Sequence, residues 1–383
     1  MSEKADLQIL RKRLGSAKRW VVKIGSALIT KEGVGLNTSE IENWAKQLSL
    51  LQAQGIEVVL VASGSVAEGA MRLGWSERPR VLSKLQAAAA VGQMGLVRSW
   101  DEIFERFGKQ VAQILLTHED IADRQRYLNA RTTLLTLLDL GVLPVVNEND
   151  SVATTEISLG DNDTLAGFVT NLVDADLLLI LTDQHGIMTA DPRIDPSASL
   201  ISDADVESTL LETVAGDGGT WGRGGMRTKI KAARLAARSG SSTIIANGSQ
   251  EDVIVQVSEG EQVGTLLYSS QAKLSSRKRW LGGTVRPSGV LVIDDGAYDA
   301  IRRSGRSLLP VGVLEVRGEF SRGELVIVET AQGNEVGRGL VNYSSVECLK
   351  IRGQPSVRLE LLLGFIREPE LIHRDNLFVD IRE

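Results

Sequence analysis

The chain has 383 residues, with 43 Lys and Arg against 49 Asp and Glu, a formal net charge of −6, 43% hydrophobic residues and 24% charged ones. That is the balance of a globular protein long enough for two domains, and its acidity argues against wholesale nucleic-acid binding. A lone cysteine, Cys348, excludes a disulfide framework, no Cys/His cluster exists for a zinc site, and no apolar run reaches the roughly 18 residues of a membrane span. The polar start MSEKADLQ does not read as a leader, so a cytoplasmic protein without a membrane partner is expected.

Five short runs rich in Val, Ile and Leu predict buried strands at 20–24, 58–62, 141–146, 177–182 and 243–246. They are mostly continuous rather than alternating, as strands covered on both faces are. Helical spacing predicts helices over 38–54, 82–100 and 129–140, two of which end before Gly55 and Gly141. Strands alternating with helices predict right-handed crossovers, hence an open, largely parallel sheet sandwiched by helices.

Ligands of such sheets bind beyond the carboxyl ends of the strands, so those ends carry the chemistry. The first strand runs into Lys23-Ile24-Gly25-Ser26-Ala27. A lysine in an apolar strand either snorkels to solvent at an edge or meets an anion. The second ends in Ser63-Gly64-Ser65, which reads as an anion-binding turn or as a plain helix cap. The third leads to Asn147-Glu148-Asn149-Asp150 and, shortly after, Gly160-Asp161-Asn162-Asp163. Asn and Asp favour turns, but two such clusters around one loop also suit an ammonium group and nearby lysines. The fourth ends in Thr182-Asp183, a position for nucleotide contacts or a cap.

Residues 216–225, GDGGTWGRGG, hold six glycines in ten and lead through Met226-Arg227-Thr228-Lys229 into an Ala- and Arg-rich helical segment ending near Arg238. A glycine-rich loop entering a helix offers free N–H groups and a helix dipole to phosphate; a plain surface loop is the alternative. No G-x-x-x-x-G-K-[ST] string and no G-x-G-x-x-G after a strand occurs, which excludes P-loop enzymes and the dinucleotide fingerprint.

The texture changes after about residue 262. The stretch KLSSRKRW (273–280) is basic and linker-like. Short alternating segments follow at 289–293, 312–316, 324–328 and 335–341, with turns at 321–323 and 332–334 predicted to join hairpins. The predicted domains are therefore 1–265, a linker 266–285, a small mostly-β barrel-like domain 286–366, and a charged tail 367–383 that frays. From residue 264 onward the chain has 17 Lys and Arg and 15 Asp and Glu, a net of +2.

These strings together resemble the amino acid kinase family. The pieces are VVKIGS (21–26), VASGSVAEG (61–69), NENDSVAT (147–154), GDND (160–163), LTDQHGIMTADPR (181–193) and GGMRTK (224–229), in the family's order. DDGA (294–297), SLLPVGV (307–313) and FSRGE (320–324) resemble the PUA domain that some members append. The resemblance implies ATP as co-substrate with Mg²⁺, L-glutamate as phosphoryl acceptor through its side-chain carboxylate, and a place at the first step of proline synthesis. It also implies inhibition by proline, a homo-oligomer, and a separate reductase that consumes the glutamyl phosphate. Carried over by position, it implies that Lys23, Thr182, Asp183 and the run Arg223, Gly224, Gly225, Met226, Arg227, Thr228 and Lys229 meet ATP. Ser63, Asp150 and Asn162 then meet glutamate. Two departures stand out: Ala27 follows Ser26 where a second hydroxyl is common, and Arg223 precedes the glycine pair where a small residue is common.

A glutamate carboxylate, with a pKa of about 4.3, is already ionised at pH 7, so the reaction needs no general base. It needs alignment and relief of repulsion between two anions. Lys23 and Lys229 are expected to flank the transferring group, oriented by Asp150, Asp161 or Asp163, among which the sequence does not choose. The alternatives are a kinase for another amino acid or carbamate and, from a different class, an RNA-binding PUA protein.

Overall fold

The strands carry the labels β1 (Arg19–Ile24), β2 (Thr30–Lys31), β3 (Val34–Leu36), β4 (Glu57–Ala62), β5 (Val111–Leu116), β6 (Leu143–Glu148), β7 (Leu177–Thr182), β8 (Asp203–Asp205), β9 (Ser242–Asn247) and β10 (Thr265–Tyr268) in residues 1–273. The computed structural model describes residues 2–31, 34–152, 162–190, 195, 197–215, 225–269, 287–366 and 368–379, in two compact units, 1–273 and 274–383.

Eight strands of the first unit form one sheet in the order β5-β6-β4-β1-β7-β9-β10-β8, parallel throughout except between β9 and β10. The five predicted runs become β1, β4, β6, β7 and β9. The three further strands are edge or near-edge elements. β5 has Gln113 in its middle and is only half-buried, and β8 has three residues, so neither needs a continuous apolar run. β10 lies at 265–268, with Leu266 and Leu267 buried. The predicted boundary at 265 therefore falls inside the sheet, and of the predicted linker 266–285 the first residues are strand; 270–286 lie outside the described residues.

The helices of this unit are α1 (Ser2–Gly15), α2 (Ser26–Ile29), α3 (Thr38–Ala53), α4 (Ser65–Arg72), α5 (Leu82–Glu105), α6 (His118–Ala122), α7 (Arg124–Asp139), α8 (Asn162–Leu172), α9 (Thr209–Ala215), α10 (Met226–Ala237) and α11 (Val253–Ser258). In α3 the residues Ile41, Trp44, Ala45, Leu48 and Leu51 recur at helical spacing and are buried, and Gly55 follows with φ of 85°. α7 starts five residues before the predicted 129, because Asp123 caps it by accepting from the Arg126 N–H at 2.8 Å and its first turn is polar.

Strand alternation decides which face each side chain takes. Trp20, Val22 and Ile24 of β1 enter the core shared with α3, α5 and α11. Lys23 therefore falls on the opposite face, the one on which α8 packs. α4 and α5 approach so closely that a Cβ on Gly92 would land on the Ser65 carbonyl, and one on Gly69 on the Ala88 carbonyl. Glycine at both places fixes the start of α4 against the middle of α5.

In the second unit β11 (Gly289–Ile293), β12 (Val313–Gly318), β13 (Leu325–Thr330), β14 (Glu335–Leu340) and β15 (Leu377–Val379) form a sheet ordered β12-β11-β13-β14-β15. β13 and β14 make the hairpin predicted at 332–334. The segment 321–323 makes none: β13 pairs in parallel with β11, so the chain crosses from one side of β11 to the other. Among the described residues this unit also holds the α-helices α12 (Asp295–Ser304), α13 (Ser345–Ile351) and α14 (Leu359–Leu363), α13 carrying a Ser344/Glu347 capping box. The predicted frayed tail is corrected here. Leu371, Ile372 and Leu377 are buried in the core, and β15 pairs with β14. The charges there lie between apolar anchors rather than in place of them. Cys348 is buried, which pushes its thiol up to about 12 and leaves it unreactive at neutral pH.

Candidate active site

Four strand ends, those of β4, β1, β6 and β7, open at one edge of the first sheet, and the beginnings of α4, α8 and α10 meet them there. Asp163, in the first turn of α8, is fully buried and lies between two lysines. Its Oδ1 pairs with Lys23 Nζ from β1, and its Oδ2 lies 3.0 Å from Lys229 Nζ of α10. Thr228 Oγ1 lies 2.9 Å from the same Oδ2 and 2.7 Å from the Gly225 carbonyl, and its one proton is shared between these two acceptors. The lysine side chains are only 6% and 7% exposed, so burying either without an anion would be prohibitive. Burial alone would raise the Asp163 carboxyl, but the ammonium groups of Lys23 and then Lys229 outweigh it and hold that carboxyl below the ordinary range. Gly25 follows directly, its N–H donating to Leu181 O at 3.0 Å, and a Cβ there would lie 3.2 Å from that carbonyl.

Beside this charged centre lies a neutral one. Asn162 Nδ2 is 2.8 Å from Ser63 Oγ, 2.8 Å from Asn147 Oδ1 and 3.0 Å from Ala62 O. Asn147 Nδ2 in turn donates to Gln93 Oε1 at 2.8 Å, and Ser65 Oγ donates to Asp150 Oδ2 at 3.3 Å. Ser65, Gln93, Glu148, Asn149, Asp150 and Ser151 line a cleft of about 250 Å³ together with Ala89, Ala90, Met94, Gln113 and Leu115. Burial pushes the Asp150 carboxyl above the ordinary range; the Ser65 hydroxyl and the charge of Arg78 only partly oppose it.

Of the expected residues, Lys23, Asp163, Thr228 and Lys229 come together around one carboxylate, and Ser63 and Asn162 around one hydrogen bond. Asp150 is joined to Ser65. Thr182 ends β7 beside β1, its side chain donating to Asp183 Oδ1 at 3.1 Å and its carbonyl accepting from Gly248 N–H at 2.9 Å. Gly225 precedes α10, where Met226 is buried and Arg227 exposed. Asp161, Arg223 and Gly224 lie outside the described residues. The sequence reading missed Gln93 and did not separate Asn147 and Ser65 from their neighbours. Gln93 sits in an Ala- and Leu-rich helix that looks structural throughout, and only its place opposite Ser65 singles it out.

Among the described residues no group of three His, Cys, Asp or Glu is placed to hold a metal ion, and no helix is long and apolar enough to cross a membrane. Residues 18–247 match the model of the amino acid kinase family and residues 289–363 that of the PUA domain. The glutamate 5-kinase of Stutzerimonas stutzeri (strain A1501) is 55% identical over 371 residues, 97% of this chain and 100% of that protein. The glutamate 5-kinase of Azoarcus sp. (strain BH72) is 55% identical over the same share of both chains. The carbamate kinase of Giardia lamblia, solved bound to AMP-PNP, shares the fold at a TM-score of 0.50 and 16% identity, over 67% of this chain and 100% of that one.

Proposed function

The chain belongs to the amino acid kinase family, and from that premise we propose that it carries out the glutamate 5-kinase reaction, moving the γ-phosphoryl group of ATP to the side-chain carboxylate of L-glutamate. The observation that carries the mechanism is the pair of buried ammonium groups on Asp163. In the transfer the bond from phosphorus to the β–γ bridging oxygen breaks, and one from phosphorus to a glutamate carboxylate oxygen forms. No proton moves, because the acceptor is ionised at neutral pH. The barrier is repulsion between two anions, and two preplaced cations in a water-poor site lower it most where charge spreads in the transition state. Asp163 holds both lysines in place for that task and Thr228 steadies Asp163.

Glutamate fits with its side-chain carboxylate toward Ser63, Asn162 and the lysines, and its ammonium group toward Asp150. Thr182, Asp183 and the run 223–229 serve the nucleotide. Both Asp163 oxygens already face ammonium groups, so Asp163 is not free to hold a metal; Mg²⁺ would enter with ATP and supply further charge neutralisation, as suits an ion that takes few protein ligands. Inhibition by proline, a homo-oligomeric state, a cytoplasmic setting and a separate reductase for the acyl phosphate complete the reading.

The test is an ATP/Mg²⁺ assay with hydroxylamine present to trap the acyl phosphate. Hydroxamate should form with L-glutamate and require ATP. ADP release with aspartate, N-acetylglutamate or carbamate, and none with glutamate, would reassign the acceptor.

A further inference from the structure

We infer that Gln93 sets specificity in the acceptor site by donating its side-chain N–H to the α-carboxylate of the amino-acid substrate; this rests on the glutamate reading above. The orientations of three side-chain amides, Asn147, Asn162 and Gln93, are coupled. The backbone N–H of Glu148 can only donate, and it lies 2.9 Å from the side-chain oxygen of Asn147. Asn162 donates to that same oxygen at 2.8 Å. Asn147 must therefore present its nitrogen elsewhere, and it does so to Gln93 Oε1 at 2.8 Å. With its oxygen committed, Gln93 has its Nε2 amide left over. That nitrogen is buried and has no hydrogen-bond partner among the described residues, in a residue only 8% exposed overall. A buried donor without an acceptor is costly and uncommon in a folded protein. An acceptor supplied by a ligand offsets that cost.

The surroundings say which acceptor. Gln93 lines the cleft with Ser65, Asn149, Ser151 and two acidic residues, Glu148 and Asp150, and no Lys or Arg is among the residues that line it. An amino-acid substrate whose side-chain carboxylate faces Lys23 and Lys229, and whose ammonium faces Asp150, has one group remaining. Its α-carboxylate must be met by neutral donors in this cleft, and the Gln93 amide is the one already deprived of a partner. The backbone of Gln93 is fixed as well, since the adjacent Gly92 packs directly on Ser65.

Kinetics with two ligands test this. L-Glutamate is compared with 4-aminobutyrate, which keeps the amine and the distal carboxylate and lacks the α-carboxylate, used as substrate or as competitor. In Gln93→Met the glutamate KM should rise about ten- to a hundredfold, the loss expected for a hydrogen bond to a charged group, with kcat and the ATP KM held. Gln93→Glu keeps an oxygen for Asn147 and should raise the glutamate KM at least as much. The constant for 4-aminobutyrate should stay within about twofold in Gln93→Met. An unmoved glutamate KM, or an equal loss for both ligands, overturns the inference and leaves Gln93 a structural role. A wild-type enzyme that releases no ADP with glutamate would overturn the functional reading itself, and this inference with it.

Discussion

Asp163 and Asp150 are the same residue type at the same edge of one sheet, both withdrawn from water, yet their acidities move in opposite directions. Asp163 is the more deeply buried, and two ammonium groups hold its carboxyl below the ordinary range. Asp150 is only partly buried, but the Ser65 hydroxyl and the charge of Arg78 oppose burial only in part, and burial prevails. The difference teaches that partners, rather than depth, decide what a buried carboxylate does. One is a fixed counter-charge that organises cations. The other is an acid group that the charge of Arg78 compensates only in part, a state that a substrate ammonium would complete.

The largest effect should come from breaking the first arrangement. Asp163→Asn leaves two buried ammonium groups facing a neutral amide and should cost about 3–5 kcal/mol of stability, the range for a disrupted buried pair. It should also lower kcat by at least about a hundredfold. Thermal unfolding alongside kcat checks both; an unaltered kcat would remove the charged centre from the reaction. Because the Asp163 carboxyl is held low in the folded state, its contribution to stability should be full above about pH 4 and be lost as pH falls further.

A smaller effect belongs to the second arrangement. Asp150→Asn should raise the glutamate KM by about ten- to a hundredfold with little change in the ATP KM. In the wild type only the ionised carboxylate attracts an ammonium group, and its pKa is raised. The glutamate KM should therefore climb as pH falls through a value above the usual aspartate range. In the Asn variant that climb should vanish. A wild-type glutamate KM that is flat with pH would break the contrast between the two carboxylates. The smallest effect is that of Thr228→Val, which removes one hydrogen bond to Asp163 and should lower kcat by about fivefold, for a loss of about 1 kcal/mol. A change confined to the ATP KM would leave Thr228 as a nucleotide contact alone, with no part in steadying Asp163.

The sequence made the charged centre half legible. A lysine inside an apolar strand and another at the start of a helix after a glycine-rich loop each announce an anion, and strand alternation places Lys23 beneath α8. What was not legible is which acid joins them. Asp150, Asp161 and Asp163 are equivalent as letters, and only the packing of α8 against both β1 and α10 puts Asp163 between the two amines. Gln93 was invisible for the opposite reason. Its neighbours make a good buried helix, and a polar residue among them gives no local signal until Gly92 brings that helix against Ser65. The sheet's centre was readable from continuous apolar runs, whereas its edges were not, because β5 and β8 are supported on one side and tolerate polar residues. In the second unit, charge misled at 368–379: a few apolar side chains, Leu371, Ile372 and Leu377, outweigh the charged residues between them and pin the segment to the core.

The central claim is that Lys23 and Lys229 form a single charge centre through Asp163, and a kinetic cycle over Lys23→Ala, Lys229→Ala and the double variant tests it most directly. Each single change should lower kcat by about a hundredfold or more, far more than it raises the glutamate KM. The double variant should lose scarcely more than the worse single one, as residues acting as a unit do. Losses that multiply would contradict the account, since they would mean two lysines acting separately.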